Sequence, residues 1–138
     1  MRPIMFIVIA LMLVGCQSAP PDRLFQQLGG EAGIVALVDS FMLGLGNDAR
    51  IRDHFSRTDP ARFREKLIEQ FCQLAGGDCV YSGDPMAEVH RGMDISDADF
   101  NALVEVLIDA MEQQGIPVSA QNRLLKPLAA MHGDIVQQ

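Results

Sequence analysis

The sequence predicts an all-α, single-domain fold, and three observations carry that prediction. Apolar residues recur at three- and four-residue intervals through every long segment, and no segment alternates with period two. Glycine doublets, Gly29-Gly30 and Gly76-Gly77, stand where periodic segments stop; glycine suits helix ends because it tolerates a left-handed backbone. With the first residues set aside, about 120 remain, enough for one packed core and too few for two.

Taken in order, the chain opens on a processing segment. Arg2 supplies a positive start, and residues 4–14 are an unbroken apolar run. That run is shorter than the ~20 residues a membrane-spanning helix needs, but it suits a signal peptide. Leu13-Val14-Gly15-Cys16 resembles the lipobox of bacterial lipoproteins. The resemblance implies cleavage before Cys16 and a lipid on its thiol, which would tether the chain to a membrane in the cell envelope, facing the periplasm or the exterior. Residues 1–15 are then signal peptide, 16–21 a short proline-containing tether, and 22–138 the folded domain.

The domain's helices are legible from their stripes. A short first helix is expected over 22–28. Ile34, Leu37, Val38, Phe41, Met42 and Leu45 mark a second, and Phe63, Leu67, Phe71 and Leu74 a third. The clearest stripe is Phe100, Leu103, Val104, Leu107, Ile108 and Met111, preceded by Ser96-Asp97-Ala98-Asp99, a capping-box-like start. Gly115-Ile116-Pro117 separates it from a last helix over 118–135, whose apolar side is Leu124, Leu125, Leu128 and Met131. Pro127 removes a backbone donor and is expected to kink that last helix.

Charge and cysteines narrow the function classes. The chain carries 11 basic and 18 acidic residues, so loss of Arg2 leaves 10 against 18, about −8. Nucleic acid is excluded as a partner, because phosphate backbones demand clustered Lys and Arg. The basic stretch at 57–66 is interleaved with Asp59 and Glu65 and reads as a solvated helix face. Cys72 and Cys79 have no histidine pattern of a zinc site around them. In an exported chain they are candidates for a disulfide worth roughly 2–3 kcal/mol, with two free thiols as the alternative.

His90 closes a short apolar segment and is followed by Arg91-Gly92. A neutral imidazole at a helix end facing an apolar cavity is how a protein commonly supplies one axial ligand to haem iron. The chain's motifs extend that reading: Leu24-Phe25-Gln26-Gln27-Leu28-Gly29-Gly30, Asp53-His54-Phe55, Leu74-Ala75-Gly76-Gly77, Tyr81-Ser82-Gly83, and Met86-Ala87-Glu88-Val89-His90-Arg91-Gly92 followed by Ile95. In this order and spacing the chain resembles the truncated haemoglobins of group I over about residues 24–135. The resemblance implies a two-over-two helical sandwich, His90 as proximal iron ligand, Phe55 against the porphyrin face and Met86 on the proximal side. Phe71, Ile95, Phe100, Leu103 and Leu107 are expected to complete the apolar slot. No Cys-x-x-Cys-His is present, so the haem is expected to be haem b, bound non-covalently. Arg62, Arg64 and Arg91 are candidates for pairing with its propionates. His54 is expected at the solvent or the haem rim, and His132 at the surface.

On the distal side the chain departs from its relatives. Many group I members carry a tyrosine directly after the phenylalanine that Phe41 matches; here that position is Met42. Leu67 stands where a glutamine is usual, and Phe63 where larger globins place a distal histidine. Without donors, bound O₂ loses stabilisation that CO and NO need less. The expected function is reversible binding of a diatomic gas at a five-coordinate iron. Alternatives are NO dioxygenation or other haem redox catalysis with an unidentified redox partner, and His–Met ligated electron transfer through Met42. A globin fold that has lost haem is a third class, disfavoured by the presence of His90 and Phe55.

Overall fold

The computed structural model describes residues 23–138, so the expected signal peptide, the lipobox with Cys16 and the tether lie outside the described residues. These form seven helices and one 3-10 turn, with no strand among the described residues. The helices are α1 (Leu24–Gln27), α2 (Gly30–Asn47), α3 (Pro60–Leu74), α4 (Met86–Val89), α5 (Asp97–Gln113), α6 (Val118–Ala129) and α7 (His132–Ile135); the 3-10 turn Arg52–Phe55 joins α2 to α3.

Local chemistry sets the boundaries. Gly29 and Gly30 lie at φ +88° and +66°, so α1 can reverse into α2 within two residues. Asp59 caps α3, its carboxylate accepting from the backbone N–H of Ala61 at 2.9 Å and of Arg62 at 3.1 Å, with Pro60 in the first turn. The expected capping box opens α5: Ser96 Oγ accepts from the Asp99 N–H and the Asp99 carboxylate accepts from the Ser96 N–H. The C-terminal expectation needs correcting. Pro127 sits inside α6 without ending it, and the helix stops at Ala129. There the Met131 N–H turns to the Leu128 carbonyl, an i→i−3 bond that tightens the chain before α7 begins.

Packing builds two crossed layers. α2 lies against α3 and α5, while α6 closes on α1, α3 and α5. A Cβ at Gly44 would collide with Val106 Cγ1, so glycine is what lets α2 and α5 approach this closely. Leu37, Val38, Phe41, Phe71, Leu107, Met111 and Leu124 fill the centre and are fully enclosed. The Phe41 and Phe71 rings meet with centroids 6.2 Å apart.

The segment between α3 and α4 is tied down along its length. Cys72 and Cys79 are joined by a disulfide, with Cα atoms 5.9 Å apart. The Gln73 side chain accepts from the Tyr81 N–H, and Glu69 accepts from the Ser82 N–H at 2.9 Å. Further on, the Gly92 N–H donates to the Gln138 carbonyl and the Gln137 N–H to the Ile95 carbonyl, each at 3.0 Å. The stretch around α4 is therefore held on both flanks, by α3 and by the residues after α7.

Candidate functional site

Between these layers lies an apolar cavity of about 400 Å³, inside the ~300–1,000 Å³ range of ligand sites. α2 contributes Phe41, the 3-10 turn Phe55, and α3 contributes Phe63, Leu67 and Phe71. Met86 of α4, His90 at its C-terminal cap, and Ile95 form another part of the wall, and α5 adds Phe100, Leu103 and Leu107. The Phe55 and Phe63 rings stack in a tilted pair with centroids 5.4 Å apart. Met42 does not belong to this wall. It is half-buried against the core, and its neighbour Phe41 is the α2 side chain that reaches the cavity.

His90 is the cavity's distinctive polar group. Its Nδ1 lies 2.8 Å from the Met86 carbonyl oxygen. A carbonyl can only accept, so Nδ1 carries the proton, and in the neutral ring Nε2 keeps its lone pair. A metal-ligating histidine has this arrangement, its second nitrogen donating to a carbonyl that fixes tautomer and orientation. Among the described residues no group of three His, Cys, Asp or Glu side chains could hold a metal. A metal at His90 must therefore bring most of its own ligands, as a macrocycle does.

The other histidines are engaged by α5. His54 lines the cavity with Nε2 3.4 Å from Asp99, which places it on the wall and not in open solvent. Ser96 hydrogen bonds, with a smaller contribution from His54, hold the Asp99 carboxyl below the usual carboxylate range. His132 Nε2 lies 2.7 Å from Asp97, and its ring sits edge-on to Phe100 at 4.8 Å.

Of the three candidate arginines, Arg64 is held by Asp39 at 2.6 Å and Arg91 by Glu88 at 2.8 Å. Arg62 alone of the three lines the cavity, where Lys66 joins it. The basic stretch read as a solvated face thus sends two cations to the cavity. Lys66 is shared with Glu65 and Glu69, each at 2.9 Å. Tyr81 also reaches the wall, donating its hydroxyl to the Asp84 carbonyl at 2.9 Å, and burial pushes its phenol upward. Sequence reasoning missed Gln70. It follows Leu67 by three positions and Phe63 by seven, the spacing that puts all three on one helix face, and it lines the cavity with them.

Residues 23–137 match the family described as bacterial-like globin. The chain is a bacterial-like globin. It is 27% identical to the group 1 truncated hemoglobin GlbN of Mycolicibacterium paratuberculosis over 124 residues, covering 90% of this chain and 91% of that one. A group 1 truncated hemoglobin of Tetrahymena thermophila is 30% identical over 92 residues, 67% of this chain and 76% of its own length. Among solved structures, the Fe(III) form of the truncated hemoglobin from Tetrahymena pyriformis superposes with a TM-score of 0.80 at 26% identity, covering 83% of this globin and 98% of that chain. The fold is thus the truncated-globin sandwich that the motifs implied.

Globins of this family bind haem b non-covalently, and the residues of this globin fit that group. His90 offers a single imidazole with its tautomer set, aromatic and aliphatic side chains offer a dry slot, and Arg62 offers positive charge for a propionate.

Proposed function

We propose that this globin reversibly binds a diatomic gas, O₂, NO or CO, at a five-coordinate haem iron held by His90, while a lipid on Cys16 tethers it in the cell envelope. The observation that carries the reading is the His90 Nδ1 contact to the Met86 carbonyl at 2.8 Å, which reserves Nε2 for iron inside an apolar cavity. The bound iron supplies one open coordination position for the gas. The chain's own residues do the rest. His90 would ligate the iron, Phe55 and Phe63 would pack against the ring, and Arg62 would pair with a propionate.

Phe41, Phe63 and Leu67 form the distal wall and bring no hydrogen-bond donor to the gas. That favours CO and NO over O₂, whose complex carries more charge. Met42 stands off the wall, so His–Met ligation has no geometric support here. The proposal is tested by absorption spectra of the purified full-length protein in ferric, ferrous and CO-bound forms, beside His90→Ala. A strong Soret band that shifts with CO and weakens in the variant is expected. An identical spectrum in the variant would overturn the assignment. Membrane fractionation of Cys16→Ser tests the tether; the variant is expected in the soluble fraction, and its retention on membranes would exclude lipid attachment at Cys16.

A further inference from the structure

Gln70 is the one amide side chain on the cavity wall, and it is partly buried. Its Nε2 lies 3.7 Å from the Met86 sulfur and 3.7 Å from the Met131 sulfur. An amide nitrogen has two hydrogens, so it can serve both thioethers, each a weak acceptor. Met86 opens α4, and its carbonyl accepts twice from His90, from Nδ1 at 2.8 Å and from the backbone N–H at 3.1 Å. Met131 lies at the entry to α7, which packs on α4. One side chain of α3 thereby grips the residue that orients His90 and the neighbour that backs it.

We propose that Gln70 is a positioning residue for His90. By holding the Met86 side chain it sets the rotation of the α4 turn, and with it the carbonyl bond that makes Nε2 a stronger or weaker donor to iron. The inference rests on His90 being the iron ligand. A residue that only filled space would be replaced without effect by leucine, which is of similar size and carries no donor. A residue that acts through its two N–H groups would not.

The test uses the full chain loaded with haem and compares the wild type with Gln70→Leu, Met86→Leu and the double variant. The readouts are the iron–histidine stretching band of the ferrous protein and the rate of haem transfer to an acceptor globin. Each single variant is expected to lower the band frequency and to speed haem loss by about tenfold, the lower end of what outer-shell partners of metal ligands contribute. The double variant is expected to match the singles, because both break the same contact. A Gln70→Leu band superimposable on the wild type overturns the proposal, as do effects that add in the double variant. If Gln70→Leu fails to fold, Met86→Leu alone decides by the same two readouts. A band that persists in His90→Ala shows instead that the ligand assignment is wrong, and the proposal falls with it.

Discussion

Leu67→Gln places a donor in the proposed distal wall and asks whether its absence controls O₂ release. Leu67 is 9% exposed, lines the cavity, and sits one helical turn from both Phe63 and Phe71. Glutamine is of similar volume and reaches one atom further, so its amide can enter the space where the gas binds. A hydrogen bond to an acceptor that carries charge contributes about 1.5–3 kcal/mol. At about 1.4 kcal/mol per factor of ten, O₂ dissociation should slow roughly ten- to a hundredfold. The same amide buried without a gas to bond costs up to about 3 kcal/mol, so a lower melting temperature is expected in the unliganded variant. Stopped-flow displacement of O₂ by CO gives the rate, with CO dissociation as the control that should barely move. Equal O₂ release from the variant and the wild type, at full haem occupancy in both, would refute the view that missing donors set the wild-type rate.

Three further outcomes follow from the packing and the charges. Phe71→Ala removes a fully enclosed ring and its partner contact with Phe41, and should lower unfolding free energy by about 3–5 kcal/mol in urea titration. Replacing Cys72 and Cys79 together by serine frees a short loop and should cost roughly 2–3 kcal/mol, read by the same titration under non-reducing conditions. In the folded protein the Ser82 N–H and the Lys66 ammonium hold the Glu69 carboxyl at about 2, below the ordinary 4.5. A carboxylate depressed by folding adds stability that is complete above its unfolded value and lost as pH falls through its folded one. The wild type should therefore outlast Glu69→Gln in thermal melts at neutral pH, with the gap closing as acid takes the solution from about 4.5 towards 2.

Much of this architecture was legible because its signals are local. Ser96 and Asp99 announce α5 by themselves, and the stripe that follows needs nothing distant to be read as a helix. His90 was legible for a different reason: its chemistry is rare at a helix end, and the neighbouring motifs agree on its role. Adjacent helical positions were harder. Phe41 and Met42 are only about 100° apart around the axis and both are apolar; the sequence reading puts both at the cavity, but only Phe41 reaches it and Met42 packs on the core. Gln70 was overlooked because an amide within an apolar stripe reads as a surface residue until the thioethers of Met86 and Met131 come to meet it. Pro127 signalled a kink in one helix running to 135, yet α6 carries it inside and ends two residues later, because losing one donor does not outweigh the packing of Leu124 and Leu128.

Asp99 joins two events that belong to different stages of folding. The capping box it forms with Ser96 needs only neighbours in the chain, so a helix start can nucleate there on the sub-microsecond to microsecond scale. Its contact with His54 spans the distance from the 3-10 turn to α5 and must wait until chain ends far apart have been brought together. The Ser96 bonds hold the carboxylate where the turn carrying His54 and Phe55 meets it. The start of α5 thus supplies a landing point for the 3-10 turn, on the wall of the cavity that His54 and Phe55 both line.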